Sequence, residues 1–304
     1  MFSLSQEPII QEIKPTVNPN NIRLFIKRED LIHPIISGNK WRKLKYNLEE
    51  AKKKKFKTLL TFGGAYSNHI HALAGAAYQY GFKSIGIIRG EEHLPLNPTL
   101  KESTAMGMEL YYLDRATYRD KHTRAVQQDL EDLFGEFYLV PEGGTNELAI
   151  RGAEEIVSGI EENYDYYIVA CGTAGTVTGM ISGIEDKGKT LGIAVLKGDF
   201  LEKEVAGWLK KTNKHYLSNW EIITKYHFGG YAKFTDELIS FINNFKSKHK
   251  VPLDPIYTGK MMMGVIDLIA QGYFEPKSSI LAIHTGGLQG IKGFNTRFNN
   301  IIDF

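Results

Sequence analysis

Short apolar segments alternate with helix-like segments along most of this chain, and most of the apolar segments end in glycine or a turn residue. TLLTFGG precedes HIHALAGAAYQYG, SIGIIRG precedes a helical pattern at 98–106, and MELYYLD precedes YRDKHTRAVQQDLEDLFG. The segments FYLVPEGG, DYYIVACG, TLGIAVLKG and SSILAIHTGG continue the alternation. Strands and helices that alternate at this spacing form βαβ units. The sequence therefore predicts an α/β fold with parallel sheets and helices on both faces.

Four of the loops that follow predicted strands are rich in glycine and polar residues. Their sequences are FGGAYSNH, PEGGTN, CGTAGT and IHTGG. Ligands of open parallel sheets bind beyond the carboxyl ends of the strands, where such loops lie. We therefore expect these loops to form a binding site.

The chain of 304 residues is long enough for one or two domains. We expect a large domain at residues 1–44 plus 150–304 and a small domain at residues 45–149. The helix predicted at 41–55 enters the small domain, and the PEGGTN loop leaves it.

The composition excludes several classes of protein. The formal net charge is +2 and lysines interleave with acidic residues, so we expect neither nucleic-acid nor membrane binding. The single cysteine, Cys171, excludes an intramolecular disulfide and a cysteine-based structural metal site, and we expect it to be a packing residue. His69 and His71 are two residues apart on a predicted helix, so their rings point apart, and no third ligand accompanies them; we therefore expect no metal site. With no secretory signal in the sequence, a cytoplasmic location is the default expectation.

Two segments have the glycines of a phosphate-binding loop. GIEDKGKT, residues 183–190, fits the P-loop pattern of nucleoside triphosphatases, but a P-loop follows a strand and opens a helix. Here a predicted helix precedes the segment and a predicted strand follows it, so a P-loop hydrolase that uses Lys189 is only a remote alternative. CGTAGT has the required context, because a predicted strand at 166–170 precedes it and a helix is expected to start near Val177. Both a phosphate site and an ordinary glycine-rich turn fit CGTAGT.

Lys40 is a candidate nucleophile within the basic stretch ISGNKWRKLKYNLEEAKKKK. Asn39 is a plausible N-cap, and the buried face of the predicted helix consists of Trp41, Leu44, Leu48 and Ala51. Lys40 would then lie in the first turn, where the helix dipole, Arg42 and Lys43 lower the pKa of its amine, as a Schiff-base lysine requires. Lys43 lies one turn further on the same side and is placed to meet an anionic group of a ligand. Two solvated surface lysines are the alternative.

The motifs, taken as an ordered set, resemble those of one enzyme family. KREDL, SGNKWRKL, FGGAYSNH, PEGGTN, CGTAGT, DPIYTGKMM and IHTGG occur in this order over residues 22–290. The set is similar to that of the pyridoxal-phosphate enzymes of the 1-aminocyclopropane-1-carboxylate deaminase and D-cysteine desulfhydrase family. The resemblance implies two-lobed, open parallel-sheet domains of the tryptophan synthase β-like fold. It also implies pyridoxal 5′-phosphate as cofactor, a small amino acid as substrate, and a homodimer.

The same resemblance implies which residues bind the cofactor. Lys40 is the residue that bonds covalently to the cofactor aldehyde, and Asn68 faces the cofactor 3-hydroxyl. The cofactor phosphate is bound by Lys43 and by the loop residues Gly172, Thr173, Ala174, Gly175 and Thr176.

Substrate contacts follow from the resemblance as well. Ser67 and His69 contact the substrate carboxylate. Tyr231, in HFGGYAK, and Tyr257, in DPIYTGK, flank the substrate. The residues expected to act in catalysis are Lys40, Ser67, Tyr231 and Tyr257.

Two threonines bear on the choice of substrate. Family members that open the cyclopropane ring have glutamate at the position of Thr258, where it keeps the pyridine nitrogen of the cofactor protonated, and they tend to have leucine at the position of Thr285. Threonine at 258 leaves the ring a weaker electron sink, which suffices when the β leaving group is as good as thiolate. The resemblance therefore implies β-elimination of D-cysteine, or of a similar small D-amino acid, to pyruvate, ammonia and sulfide.

Two departures from the family pattern leave the substrate open. Tyr66 stands where relatives often have glutamine, and the segment between CGTAGT and Tyr231 is shorter than in better-known members. Ring-opening deamination of 1-aminocyclopropane-1-carboxylate is the alternative within the fold. A cofactor-binding protein without catalytic activity is a further alternative.

Overall fold

The computed structural model describes residues 4–304, which form two β-sheets flanked by helices. The strands are β1 (Ile10–Ile13), β2 (Arg23–Lys27), β3 (Thr58–Gly63), β4 (Lys83–Arg89), β5 (Met108–Leu113), β6 (Tyr138–Val140), β7 (Tyr166–Cys171), β8 (Lys189–Ala194), β9 (Trp220–Ile223) and β10 (Ser279–Ile283). The helices are α1 (Asn39–Lys53), α2 (Asn68–Tyr80), α3 (Pro98–Ala105), α4 (Arg115–Arg119), α5 (Arg124–Phe134), α6 (Glu147–Ser158), α7 (Ala174–Ile184), α8 (Phe200–Lys211), α9 (Asp236–His249), α10 (Thr258–Ala270) and α11 (Gly290–Phe298). Among the described residues, no helix is both long and apolar enough to cross a membrane.

The larger sheet has six strands in the order β1-β2-β10-β7-β8-β9, and the smaller has four in the order β5-β4-β3-β6. All neighbouring strands are parallel except β1 and β2, which pair antiparallel at one edge. The predicted α/β class with parallel sheets is confirmed. Strands β1, β2 and β9 were not predicted. β1 and β9 are edge strands of four residues with mostly exposed or half-buried side chains, so they lack the apolar run of a buried strand.

Both sheets are covered by helices on both faces, because alternate residues of the central strands are apolar on each side. In β7, Ile168 and Ala170 pack in a core with α9 and α10, whereas Val169 packs in a second core with α6, α7 and α8. In β3, Leu59 packs with α1 and α2, and Leu60 packs with α5. Burial on both faces explains why these strands are nearly continuous apolar runs.

The strands of the larger sheet come from residues 10–27 and 166–283, and those of the smaller sheet from residues 58–140. These ranges fall inside the predicted large and small domains, whose boundaries stay a prediction. Helix α1 spans the predicted boundary between them. Its apolar face packs on the smaller sheet, and a Cβ at Gly152 of α6 would lie 1.9 Å from the carbonyl oxygen of Arg42. α1 therefore contacts both parts of the molecule closely.

The single helix predicted in YRDKHTRAVQQDLEDLFG was wrong, because the structure has two helices there. A break at residues 120–123 separates α4 from α5. Asp114 caps α4 with its carboxylate, and the Thr123 hydroxyl caps α5 by accepting a hydrogen bond from the Val126 N–H at 3.5 Å. An N-cap residue inside a helical pattern starts a new helix there, because its side chain satisfies the free N–H groups of the next one.

Candidate active site

A cavity of about 440 Å³ lies at the carboxyl ends of strands from both sheets. All four glycine-rich loops contribute to its wall, through Gly64, Ser67, Asn68, His69, Gly143, Gly172, Thr173, Thr176, Thr285, Gly286 and Gly287. Lys40, Tyr231 and Tyr257 line the same cavity. The structure thus brings the loops and most of the candidate site residues together in one place.

The KREDL segment anchors the elements that surround this cavity. The Glu29 carboxylate accepts hydrogen bonds from the Arg42 guanidinium at 2.9 and 3.1 Å, and it lies 3.0 Å from the Lys27 amine. Asp30 Oδ1 lies 3.3 Å from His284 Nδ1, at the end of β10. Both carboxylates are fully buried, and each is compensated by a nearby cation, Glu29 by Arg42 and Lys27, and Asp30 by Arg28. The two acids therefore hold α1 and the IHTGG loop in place.

Gly38 connects the start of α1 to the loop after β10. Its φ is +63°, and a Cβ at this position would lie 2.0 Å from the Thr285 carbonyl oxygen. The backbone N–H of the next residue, Asn39, donates a hydrogen bond to the same oxygen at 3.2 Å. The positive φ and the close backbone approach both require glycine. SGNK and IHTGG are therefore in direct contact.

Lys40 lies in the first turn of α1 and contributes to the cavity wall. Its amine donates a hydrogen bond to Asn39 Oδ1 at 3.1 Å, and Asn39 Nδ2 donates to Thr176 Oγ1 at 2.9 Å. The prediction that Asn39 caps the helix was wrong. Gly38 is the N-cap residue, and Asn39 is the first helical residue, with a side chain that connects Lys40 to the 172–176 loop.

The pKa of Lys40 is lowered to about 8, chiefly because burial disfavours the charged amine, while the Asp254 carboxylate opposes this shift. The sequence-based explanation, which invoked the helix end and two neighbouring cations, therefore named the wrong main cause. One of those cations, Arg42, is neutralised by its pair with Glu29. An amine whose pKa lies near 8 has an appreciable neutral, nucleophilic fraction at neutral pH.

Lys43 lies one turn further along α1, where it is almost fully buried. Its amine donates hydrogen bonds to the Gly143 carbonyl oxygen at 2.5 Å and to Thr145 Oγ1 at 3.0 Å. None of the carboxylates in residues 4–304 forms an ion pair with it. Burial, with the charge of Lys40 as a second cause, holds the pKa of Lys43 well below its usual range. A buried amine without an acidic partner indicates a position for an anionic ligand.

Helix α7 begins at Ala174, so the 172–176 loop includes its first turn, and the start expected near Val177 was too late. The side chain of its N-cap residue, Thr173, does not cap this helix, although the Ala174 N–H donates a hydrogen bond to Glu204. A Cβ at Gly175 would lie 2.8 Å from Thr145 Oγ1 and 3.2 Å from Lys43 Nζ. The other N–H groups of the first turn, the lack of a side chain at Gly175 and the adjacent Lys43 amine together favour an anion at this helix end.

Ser67, Asn68 and His69 occupy the start of α2. Ser67 is the N-cap residue, and its hydroxyl oxygen accepts hydrogen bonds from the N–H groups of His69 and Ile70 at 3.2 and 3.3 Å. Asn68 Oδ1 accepts a hydrogen bond from Gln289 Nε2 at 2.5 Å. Their assigned contacts with cofactor and substrate stay predictions.

The His69 ring is buried between α2 and the two lysines. Nε2 lies 2.9 Å from Thr61 Oγ1, and Nδ1 has no hydrogen-bond partner among the described residues. Burial, reinforced by the charges of Lys40 and Lys43, holds the pKa of His69 well below its usual range. The ring is therefore neutral at neutral pH, and its Nδ1 is a buried nitrogen without a protein partner among the described residues.

Tyr231 and Tyr257 form a hydrogen-bonded pair of phenols at the cavity. Burial, followed by the neighbouring Tyr231 and Asp254, raises the pKa of Tyr257 well above its usual range. Burial also raises the pKa of Tyr231, which lies on the loop between β9 and α9. A Cβ at Gly172 would lie 2.9 Å from Tyr257 Cε1, so glycine at 172 makes room for this ring. Both phenols are protonated at neutral pH.

Asp254 is a residue near the site that sequence reasoning missed, although it begins the DPIYTGK motif. It is 2% exposed. Its carboxylate accepts hydrogen bonds from the Tyr257 N–H at 2.8 Å and from the N–H and hydroxyl of Thr258 at 2.9 and 2.7 Å. At this point the cavity wall is formed by Tyr257. The cofactor-binding role that the resemblance implies for Thr258 stays a prediction, and its hydroxyl is bonded to Asp254 here.

Lys260 was also missed, and it holds the loop that carries Tyr231. Its side chain is fully buried, and its amine donates hydrogen bonds to the carbonyl oxygens of His227 at 3.0 Å and Gly230 at 2.8 Å. Burial lowers the pKa of Lys260 to about 8. Ala232 follows Tyr231 with a φ of +55°, which is unfavourable for a residue with a side chain. Lys260 therefore stabilises a strained loop.

Three charged residues of the cavity wall were not predicted either, namely Arg89, Glu142 and Glu204. Arg89 is the last residue of β4, and Glu142 follows β6. Burial raises the pKa of Glu204, and a hydrogen bond from the Ala174 N–H partly offsets this. The signal for Arg89 is present in the sequence, since a charged residue ends the apolar run SIGIIR before a glycine.

Lys189, His71 and Cys171, for which the sequence favoured no role in the site, have structural partners elsewhere. The Lys189 amine lies 2.6 Å from Glu221 Oε2, and residues 183–190 connect helix α7 to strand β8, the reverse of a P-loop. His71 Nε2 lies 3.1 Å from Glu102 Oε2. Cys171 packs in the core between β7 and α7, and burial raises the pKa of its thiol to about 12.

Comparison with known proteins identifies the family. The pattern of the family described as "Pyridoxal-phosphate dependent enzyme" matches residues 8–286. The chain belongs to this family. The bifunctional D-cysteine desulfhydrase/1-aminocyclopropane-1-carboxylate deaminase of Arabidopsis thaliana mitochondria is 32% identical over 90% of this chain and 74% of its own length. The D-cysteine desulfhydrase of Salmonella schwarzengrund is 29% identical over 90% of this chain and 89% of its own.

A solved structure supports the same assignment. The crystal structure of an ACC deaminase homologue superposes on this pyridoxal-phosphate enzyme with a TM-score of 0.81 and 28% sequence identity, and the match covers 98% of this chain and 94% of the homologue. The family resemblance and the tryptophan synthase β-like fold are therefore confirmed.

The residues of the cavity fit pyridoxal phosphate. Lys40 offers an amine of lowered pKa to an aldehyde. The first turn of α7, which the Thr173 side chain does not cap, and the buried amine of Lys43 offer hydrogen-bond donors to a phosphate. The cavity of this pyridoxal-phosphate enzyme therefore has groups that suit both the aldehyde and the phosphate of the cofactor.

Proposed function

We propose that this enzyme is a lyase that eliminates the β-substituent of a small D-amino acid, with D-cysteine as the first candidate and pyruvate, ammonia and sulfide as products. One observation carries the proposal: the Lys40 amine is hydrogen-bonded to Asn39, and Asn39 to Thr176 of the anion-binding loop. A nucleophilic amine and a phosphate site are thereby held in one connected unit. The bound cofactor supplies an electron-withdrawing ring that stabilises negative charge on the substrate α-carbon.

The side chains of the cavity take up the α-proton and bind the substrate. Lys40 Nζ accepts the α-proton, since its lowered pKa makes it a base at neutral pH. Ser67 and His69, at the N-terminus of α2, bind the substrate carboxylate, which the helix dipole also favours. The phenols of Tyr231 and Tyr257 orient the substrate.

Cofactor contacts are assigned in the same proposal. Asn68 faces the 3-hydroxyl. Thr258 and Thr285 lie on the ring side. The phosphate is held by Lys43 with Gly172, Thr173, Ala174, Gly175 and Thr176. These assignments rest on the family resemblance together with the first turn of α7, which the Thr173 side chain does not cap.

The experiment is turnover by the purified holoenzyme with D-cysteine, L-cysteine, D-serine and 1-aminocyclopropane-1-carboxylate. We expect pyruvate and sulfide in equal amounts from D-cysteine, and none from the Lys40→Ala variant. Lys189→Ala is the matched control and should retain full activity, because Lys189 pairs with Glu221 outside the cavity. No pyruvate from D-cysteine at millimolar concentration would refute this choice of substrate.

Ring-opening deamination of 1-aminocyclopropane-1-carboxylate is the second candidate. One relative is named for both activities. In addition, the buried Asp254 carboxylate is hydrogen-bonded to the Thr258 hydroxyl, so an acid stands one hydrogen bond from the position at which ring-opening members have glutamate. Formation of 2-oxobutanoate and ammonia in the same assay detects this reaction.

We further propose that the enzyme acts as a homodimer in the cytoplasm. The homodimer rests on the family resemblance. Light scattering of the purified protein tests the oligomeric state, and fractionation of cells tests the location.

A further inference from the structure

A second cavity, of about 380 Å³, adjoins the active cavity and shares Arg89 and Glu142 with it. The remaining residues of its wall are Arg115, Tyr118, Arg119 and Lys121. Four cationic side chains, three of them exposed arginines, and one carboxylate therefore surround a small space next to the active cavity. We call this space the cationic cavity.

The single carboxylate of the cationic cavity is already engaged. Glu142 Oε2 lies 3.2 Å from the Lys121 amine, and Glu142 Oε1 accepts a hydrogen bond from the Tyr118 hydroxyl at 2.8 Å. Lys121 reaches Glu142 from the break between α4 and α5. Glu142 thus neutralises Lys121 and leaves the other cations without a counter-charge.

The three arginines have no acidic partner within residues 4–304. No ion pair joins Arg89, Arg115 or Arg119 to a carboxylate there, whereas the guanidiniums of Arg28 and Arg42 each bind a carboxylate through two nitrogens. All three arginines are exposed, so water screens the repulsion between them. Their guanidinium groups nevertheless line one cavity and together give it a positive potential that attracts an anionic ligand.

The arginine side chains lie close to the strand ends that border the active cavity. Arg89 Nη2 is 4.0 Å from the position that a Cβ on Gly64 would occupy, and Gly64 is part of the active-cavity wall. Arg115 Nε is 3.9 Å from the corresponding position on Gly90, the residue after Arg89. A group extending from the substrate past Gly64 would therefore meet Arg89 first.

We propose that the cationic cavity binds an oxyanion attached to the β-carbon of the substrate, which makes amino acids with a phosphate-like β-substituent a substrate class of this enzyme. This inference rests on the proposed β-elimination. The planar fork of a guanidinium matches two oxygens of such a group. With O-phosphoserine, the α-proton is removed and the Cβ–O bond breaks, so that its electron pair leaves on inorganic phosphate. Water then converts the three-carbon enamine to pyruvate and ammonia.

The test compares O-phospho-D-serine and O-phospho-L-serine with the uncharged D-serine on the holoenzyme. We expect kcat/KM for at least one phosphoserine to exceed that for D-serine. Arg115→Gln and Arg119→Gln should each lower the phosphoserine to D-serine ratio by about 10-fold, the size of one lost charge-assisted hydrogen bond. Arg115→Lys keeps the positive charge but loses the planar fork, so its phosphoserine to D-serine ratio should fall between those of the native enzyme and Arg115→Gln. Arg124→Gln, on the exposed start of α5, is the matched control and should leave the ratio unchanged.

Calorimetry gives a second measurement that does not depend on turnover. In the holoenzyme the cofactor occupies the phosphate site at α7, so inorganic phosphate titrated into it reports on the cationic cavity. We expect binding that weakens in Arg115→Gln and Arg119→Gln and is displaced by O-phosphoserine.

The outcomes separate this inference from the proposed function. Pyruvate from D-cysteine, together with an unchanged phosphoserine to D-serine ratio in both glutamine variants, would overturn the cationic cavity alone. If no amino acid is turned over, the proposed function fails, and calorimetry still decides the cavity: binding unaffected by either substitution, or no binding, would overturn it.

Discussion

Two buried amines, Lys40 and Lys260, have pKa values lowered to about 8, and their protonation therefore changes within the range in which enzymes are assayed. The cause is the same for both, since burial removes the water that stabilises an ammonium. Their consequences differ. Protonation of Lys40 changes the reactivity of the cavity, whereas Lys260 acts through the loop that it binds.

Capture of the cofactor by the apoenzyme should follow the titration of Lys40. Only the neutral amine attacks an aldehyde, and lowering the pKa from 10.5 to about 8 makes the neutral form predominant above about pH 8. The capture rate should therefore rise with pH and level off above about 8. Stopped-flow absorbance after mixing apoenzyme with pyridoxal phosphate at pH 6 to 11 measures this. A rate that still rises toward pH 10.5 would contradict the lowered pKa.

Replacing Asp254 by asparagine should shift that profile to lower pH. The Asp254 carboxylate raises the pKa of Lys40 against the larger effect of burial, so its removal lowers the pKa further. Asparagine retains an oxygen that can accept the hydrogen bond from the Tyr257 N–H. Asp186→Asn, at an exposed turn, is the control and should leave the midpoint in place. An upward shift in Asp254→Asn would refute the coupling.

At the scale of elements, the start of α1 depends on a single glycine. Gly38→Ala forces a positive φ on alanine and brings its Cβ to within 2.0 Å of the Thr285 carbonyl oxygen. Gly81→Ala is the matched control, because Gly81 also has a positive φ, of +73°, but nothing lies within 4 Å of its Cβ position. We expect Gly81→Ala to lower the free energy of unfolding by about 1 kcal/mol and Gly38→Ala by more than about 3 kcal/mol. Urea denaturation measures both, and equal losses would show that the contact is unimportant.

The loop at 227–233 depends in a similar way on one helix residue. Lys260→Met keeps the apolar stem but removes the hydrogen bonds to the His227 and Gly230 carbonyl oxygens. Because these two hydrogen bonds hold the loop that carries Tyr231, we expect their loss to raise KM for the amino-acid substrate about 10-fold. Faster hydrogen exchange at 227–233 should accompany this change. Lys225→Met, which alters an exposed amine, serves as the control. An unchanged KM in Lys260→Met would show that the loop keeps its conformation without Lys260.

At the scale of the whole molecule, the sequence predicted the features that repeat locally. Apolar runs such as DYYIVACG predicted the parallel strands, since burial on both faces requires them. The four glycine-rich loops predicted the edge at which the cavity lies. The fold resemblance followed from the order of these motifs, and the structural comparison confirmed it.

The features that were missed depend on contacts between residues distant in sequence. The significance of Asp254 and Lys260 depends on the fold, which places Asp254 near Lys40 and Lys260 of α10 against the Tyr231 loop. Arg89 ends β4 and Glu142 follows β6, and no local pattern pairs them. The break between α4 and α5 is different, because the side chain that caps α5, that of Thr123, is a local signal in the sequence.

The residues proposed to bind the cofactor come from both halves of the molecule, so cofactor binding should stabilise the fold as a whole. Lys43 and Asn68 belong to helices that pack on the smaller sheet, whereas Thr176 follows the central strand of the larger one. A ligand that binds all three stabilises the folded state by about 2.7 kcal/mol at a concentration 100 times its Kd. Calorimetry should therefore show a higher Tm for the holoenzyme than for the apoenzyme, rising with cofactor concentration. Hydrogen exchange should slow in α1, α2 and α7 together. Slowing confined to α7 would mean that the phosphate alone is held and that the two sheets are not joined through the cofactor.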